Sequence, residues 1–209
     1  MSLLLPGAPP LVLASSSSTR AALLQAAGLP FTALPAAVDE DSLKAAAQAE
    51  AIPPADAAVL LADAKAGRIA RRMTRDMPEA LVIGADSLLV CETRWFDKPD
   101  GRAGARAQLQ ALRGRTHELV SGVTCWRHGA RIWHHAATCR LSMRDFSDEF
   151  LDAYLDAEGE AITHSVGAYR LEGLGMHLFR AVTGEQAAIL GLPMLPLLDF
   201  LRQHGVVRG

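Results

Sequence analysis

A short apolar run, Leu11-Val12-Leu13-Ala14, breaks into Ser15-Ser16-Ser17-Ser18-Thr19-Arg20, and a helical pattern opens at once with Ala21, Ala22, Leu23, Leu24 and Ala27. This junction of strand, hydroxyl-rich turn and helix start narrows what the chain can become. The first helical N–H groups have no intrahelical partner and point outward. The helix dipole adds partial positive charge at the same place. Serine hydroxyls and a fixed guanidinium then complete a cradle for phosphate. The same residues also read as an ordinary helix N-cap, since serine is a favoured cap, and the local pattern leaves both readings open.

The rest of the chain continues the alternation. Helices are expected over 19–28, 42–50, 55–73, 102–112, 145–157 and 195–204. Residues 80–84 read as a central strand, because Leu81, Val82 and Ile83 are consecutive and apolar. Leu88–Cys91 continues extended, 31–38 reads as an edge segment interrupted by Pro35, and 178–181 as a short strand. His117–Trp126 and Ala130–Leu141 read as a hairpin around His128-Gly129. Mixed strands and helices without an internal repeat or linker point to one α/β unit, or two lobes on one mixed sheet, taken as a single domain over 1–209. Half of the 209 residues are apolar, enough for a sizeable core, and 21 basic residues against 23 acidic ones leave no basic patch for a nucleic acid. The three cysteines, Cys91, Cys125 and Cys139, have no metal-ligand spacing and read as buried, reduced thiols of a cytoplasmic protein. No segment has the length and apolarity of a membrane span.

Several further segments carry chemistry-bearing side chains. In Ile83-Gly84-Ala85-Asp86-Ser87 a hydrophobic strand delivers an aspartate to its carboxyl end, where open α/β sheets place ligands; a turn-capping aspartate is the plain alternative. Lys98 stands beside Pro99 in a turn, and Lys65 lies among alanines in a helix; taken alone, both read as solvated lysines. Gly114-Arg115-Thr116-His117 reads as a helix stop or an anion contact. Three glycines around Tyr169 and Glu172 mark a loop whose backbone lies close to a partner, or a structural turn. A serine-hydrolase elbow and a P-loop are both lacking from the sequence.

Taken in order, these segments resemble the Maf family of nucleoside triphosphate pyrophosphatases. The resemblance is carried by Leu13–Ser17 with Arg20, Val38-Asp39-Glu40, Ala64-Lys65-Ala66, Ile83–Ser87, Lys98-Pro99, Leu112–His117 with Ser121-Gly122-Val123, Gly167-Ala168-Tyr169 with Glu172-Gly173, and Gly191-Leu192-Pro193. It implies a two-lobed, inosine-triphosphatase-like α/β fold with a long twisted mixed sheet and a central cleft. It also implies cleavage of a nucleoside triphosphate between its α and β phosphates, a divalent cation (magnesium, manganese or cobalt), a cytoplasmic homodimer without nucleic-acid or membrane partners, and an association with division arrest and nucleotide house-cleaning. On this resemblance Ser15, Ser17 and Arg20 hold phosphate oxygens, and Lys65, Lys98 and Arg115 neutralise the leaving pyrophosphate. Glu40 and Asp86 hold the metal, and Asp86 serves either as proton acceptor for water or as metal ligand.

The chain departs from the family pattern in places. Ser17-Ser18-Thr19-Arg20 stands where Ser-Pro-Arg-Arg is usual, and Thr183–Ala188 lacks the usual asparagine. Thr19, Ser87 and Glu172 occupy the positions that differ between members acting on uridine and thymidine triphosphates and members acting on 7-methylguanosine triphosphate, and they fit neither set completely: Glu172 matches the second, Thr19 and Ser87 match neither. A carboxylate at Glu172 only accepts hydrogen bonds, so it suits the two donors of a guanine-like edge. A non-catalytic nucleotide-binding regulator of division is the alternative class: it would keep the cradle but need neither metal nor base.

Overall fold

The computed structural model describes residues 3–209. A mixed seven-stranded sheet has the order β2-β1-β3-β5-β6-β7, with β4 paired to β3. Its strands are β1 (Leu11–Leu13), β2 (Phe31–Ala33), β3 (Leu81–Cys91), β4 (Arg94–Phe96), β5 (Thr116–Arg127), β6 (Ala130–Met143) and β7 (Phe179–Thr183). β1 is parallel to both β2 and β3, whereas β4 and β7 pair antiparallel with β3 and β6. The helices are α1 (Ser18–Ala26), α2 (Glu40–Ala49), α3 (Pro54–Met73), α4 (Gly101–Leu112), α5 (Asp148–Glu158), α6 (Gln186–Ile189) and α7 (Met194–Gln203). The fold is thus mixed α/β, as the sequence implies.

The chain divides into two compact units, the first made of 1–87, 121–137 and 185–209, the second of 88–120 and 138–184. In the first unit, side chains alternate across β3 as strand geometry requires. Val82 packs with Val12, Ala14, Ala66, Ile69 and Ala70 on the α3 side. Ile83 and Ala85 pack on the other side with Leu24, Val123, Leu192, Leu197 and Phe200. α3 comes very close to the sheet. A Cβ built on Gly84 would stand 2.2 Å from the Ala62 carbonyl oxygen, and one on Gly122 would stand 2.4 Å from the Ala58 carbonyl carbon. Glycine on the strands and alanine on the helix (58, 62 and 66, every fourth residue) are the two halves of that approach. The hairpin between β5 and β6 turns through His128 (φ 51°) and Gly129 (φ 75°), the pair of positive φ values that a two-residue primed turn requires.

In the second unit α4 packs on α5 and on the 3-10 turns that follow it, Gly159–His164 and Val166–Ala168. Leu109, Leu112, Leu141, Met143, Leu151 and Leu155 are buried there. β4, the three 3-10 turns (the third is Leu174–Leu178) and α6 are too short to give a sequence period. α5 begins at Asp148 rather than 145 because the Ser147 hydroxyl caps it, accepting from the Phe150 N–H at 3.1 Å. All three cysteines are buried and none is disulfide-bonded. Among the described residues no helix is long and apolar enough to cross a membrane.

Candidate active site

The junction between β1 and α1 is both a helix cap and the start of a polar cluster. The Ser17 hydroxyl accepts the Arg20 backbone N–H at 3.3 Å, capping α1. The Ser15 hydroxyl accepts from the Ser17 N–H at 3.2 Å and from Arg20 Nη1 at 3.3 Å. Both lone pairs of Ser15 Oγ are therefore engaged, and its O–H remains free to donate. Ser17 also keeps its proton. Thr19 is half-buried in the first turn of α1.

Arg20 is buried with its guanidinium held on three sides. Nε donates to the Gly191 carbonyl at 2.8 Å, Nη1 to Ser15, and Nη2 to Ser87 Oγ at 3.2 Å. Gly191 has φ +96°, and a Cβ there would stand 3.1 Å from Arg20 Nε, so a glycine lets that carbonyl reach the guanidinium. Burial pulls the Arg20 pKa down from its ordinary value, with Asp86 and Glu40 pulling it back up; an arginine so placed stays charged.

Asp86 stands in the middle of β3, not at a strand end as the sequence suggests, because β3 runs on to Cys91 without a break. Gly84 and Asp86 share one face of the strand. The glycine admits α3, and α3 brings Lys65 to the aspartate. Lys65 Nζ lies 3.2 Å from Asp86 Oδ2 and 2.8 Å from Glu40 Oε1 at the start of α2. Lys65 is therefore buried, contrary to the solvated lysine that its helical surroundings suggest. Asp86 Oδ1 accepts its neighbour's backbone N–H, that of Ser87, at 2.8 Å. Oδ2 is buried without a hydrogen-bond partner: the Lys65 ammonium is near enough for an ion pair but is not aligned as a donor. The nearest guanidinium nitrogen, Arg20 Nη2, is 3.9 Å from Oδ1, beyond hydrogen-bond range.

Ser87 turns to the other face of β3. Its hydroxyl lies 2.8 Å from that of Ser121, which donates to the Ala188 carbonyl at 2.8 Å. Ser121 and the carbonyls of Ala188 and Gly191 are members of this cluster that reading for titratable side chains does not find. The signal available was the pair of segments Ser121-Gly122-Val123 and Gly191-Leu192-Pro193.

Seven of the residues picked from sequence, Ser15, Ser17, Arg20, Glu40, Lys65, Asp86 and Ser87, are thus linked by contacts within the first unit. The other three charged ones belong to the second unit. Lys98 is exposed between β4 and α4. Arg115 precedes β5 and pairs with Glu92 at 2.9 Å. Glu172 is exposed in the turn before Leu174. The glycines of that loop serve the chain's own turn: a Cβ on Gly175 would stand 2.3 Å from the Arg170 carbonyl oxygen. The neighbouring Glu158 carboxylate accepts from Arg170 Nε at 2.9 Å and the Leu174 N–H at 3.1 Å, with Arg170 Nη2 in ion-pair contact at 2.8 Å. His117 Nε2 lies 2.9 Å from the Tyr169 hydroxyl, and burial lowers the His117 pKa to about 4.

Two buried cations, a buried carboxylate and the partly exposed Glu40 gather beside a helix N-terminus on a mixed α/β sheet. Residues 10–204 match the family model for Maf-like proteins, and the chain belongs to that family. It is 54% identical over 194 residues (93% of this chain, 98% of the relative) to the nucleoside triphosphate pyrophosphatase of Paramagnetospirillum magneticum. Identity is 50% to the protein of that name from Rhodospirillum rubrum, over 95% of this chain and 96% of the relative. It is 52% to that from Granulibacter bethesdensis, over 93% and 96%.

Proposed function

We propose that this chain is a nucleoside triphosphate pyrophosphatase, hydrolysing a nucleoside triphosphate to the monophosphate and pyrophosphate. The observation that carries the reading is the linked set Ser15, Arg20, Lys65, Asp86 and Glu40, in a chain about half identical to relatives of that name. Phosphoryl transfer needs charge stabilisation and positioning above all. Ser15 is left with a donor and no free lone pair, which suits a phosphate oxygen. Three of the five Arg20 N–H bonds are assigned, and the others remain for an anion. Lys65 offers its charge to the same ligand. The acceptor at Asp86 Oδ2 takes a proton from water as the water oxygen attacks the α-phosphorus; the α–β anhydride bond breaks, and pyrophosphate leaves.

A divalent cation fits this donor set. Among the described residues no group of three or more His, Cys, Asp or Glu could hold an ion unaided. Magnesium-like ions, however, take one or two carboxylates and complete their shell with substrate phosphates. Glu40 and Asp86, joined through Lys65, match that pattern; in that arrangement Asp86 Oδ2 would serve as metal ligand instead of proton acceptor. When bound, such an ion supplies electrostatic stabilisation of charge building on the phosphates.

The roles that the family resemblance gives Lys98 and Arg115 (cations for the pyrophosphate) and Glu172 (acceptor for a guanine-like base) belong to the same proposal. A panel of canonical and methylated nucleoside triphosphates with magnesium, manganese or cobalt, read out as pyrophosphate, tests it. Turnover with guanine-type substrates ahead of UTP and dTTP is expected; equal or faster UTP and dTTP hydrolysis overturns the base preference. Absence of pyrophosphate from every substrate overturns the activity and favours a nucleotide-binding regulator.

A further inference from the structure

The Ser121 hydroxyl is wholly buried and is bonded only within the protein. Counting hydrogens fixes the direction of its chain of bonds. A carbonyl cannot donate, so the single Ser121 proton goes to the Ala188 oxygen, and the bond between the two serines must take the Ser87 proton. Ser87 Oγ is thereby committed as an acceptor toward Arg20 Nη2. The Gly191 carbonyl holds Nε of the same guanidinium from the other side. So restrained, Nη2 stays 3.9 Å from Asp86 Oδ1, in Coulombic reach but outside a hydrogen bond.

We propose that Ser121 is a positioning residue that keeps Arg20 from closing onto Asp86. Without the Ser121 acceptor, Ser87 is free to turn and its lone pair is no longer pinned toward Nη2. The guanidinium then closes the gap and forms a direct charge-assisted pair with the carboxylate. One N–H available to phosphate is lost, and the carboxylate that presents Oδ2 to the water is drawn toward the guanidinium through Oδ1.

The kinetic part of this inference rests on the proposed hydrolase activity; the geometric part does not. Ser121→Ala is expected to lower kcat about ten- to a hundredfold while KM changes less than about threefold, the scale of a displaced catalytic group. Ser121→Thr, which keeps the hydroxyl, is expected to restore kcat to within about threefold of the parent protein. Ser87→Ala breaks the same chain one bond earlier, so the double variant should cost no more than the worse single one. A crystal structure of nucleotide-free Ser121→Ala should bring Nη2 within about 3.2 Å of Asp86. Unchanged kcat in Ser121→Ala, a Thr variant as impaired as the Ala one, additive single effects, or an Arg20–Asp86 separation that stays near 3.9 Å would each overturn the role. If the parent protein itself releases no pyrophosphate, the activity reading fails and the separation alone judges the relay.

Discussion

Each unit buries a carboxylate against an arginine, and the two pairs are built differently. In the second unit Glu158 accepts one N–H bond from Arg170 and one from Leu174, with a second Arg170 nitrogen in ion-pair contact; its side chain is 1% exposed, and that of Arg170 is 40% exposed. Both oxygens of the acid are hydrogen-bonded and the cation's remaining charge reaches water, which is how a structural ion pair settles. In the first unit Asp86 and Arg20 are each about 10% exposed yet stand 3.9 Å apart. The guanidinium is spent on neutral acceptors, and one aspartate oxygen has no hydrogen bond. Leaving a buried carboxylate short of donors is costly, and functional sites are where such costs are retained. A pair with capacity to spare is the mark of a working site, and a pair without it is a clasp.

The sharpest way to break this contrast is to neutralise each acid. Asp86→Asn should lower the rate of pyrophosphate release about a hundred- to ten-thousandfold, the range of a lost general base, with little change in the melting temperature. Glu158→Gln should do the reverse in kind: a loss of about 2 kcal/mol in a denaturant titration, as expected for an impaired buried hydrogen-bonded carboxylate. Equal losses of stability in both variants would erase the distinction.

Between these lies a test of how the first unit is assembled. Gly84→Ala puts a Cβ onto the α3 backbone and should cost about 1–3 kcal/mol as overpacking. Because α3 carries Lys65, the same change should also reduce turnover, which a simple packing defect elsewhere in the core would not.

The smallest effect concerns acid. His117 is held neutral in the folded protein, with its pKa lowered to about 4 from 6.5 by burial beside Tyr169 and Phe179. Between those values the unfolded chain binds the proton and the folded one does not. This contribution is therefore complete above about pH 6.5 and falls away as pH drops toward 4. Stability curves across that window should be flatter for His117→Gln than for the parent protein.

Much of the fold and of the first unit's cluster was legible in the sequence, the Glu158–Arg170 pair was not, and the limits are physical. Period and capping located α1, α3, α4 and α7 to within a few residues, because each has an apolar stripe or a clear stop. The consecutive apolar residues of β3 marked a buried strand, but the same rule ended it at Gly84: Asp86 and Ser87 look like a turn until Lys65 and Ser121 are seen to satisfy them. Lys65 looked solvated for the same reason, since its partners Glu40 and Asp86 are distant in the chain. Single-residue chemistry could suggest Arg20 and Asp86; only long-range contacts reveal that Ser121 and two carbonyls near the C-terminus decide how far apart those groups stand.

The most direct test of the central claim is hydrolysis in water enriched in oxygen-18, with the products separated and weighed by mass spectrometry. Attack at the α-phosphorus predicts one heavy oxygen in the nucleoside monophosphate, unlabelled pyrophosphate, and loss of both products in Asp86→Asn. Label in the pyrophosphate, release of nucleoside diphosphate and phosphate, or undiminished turnover in Asp86→Asn would contradict it.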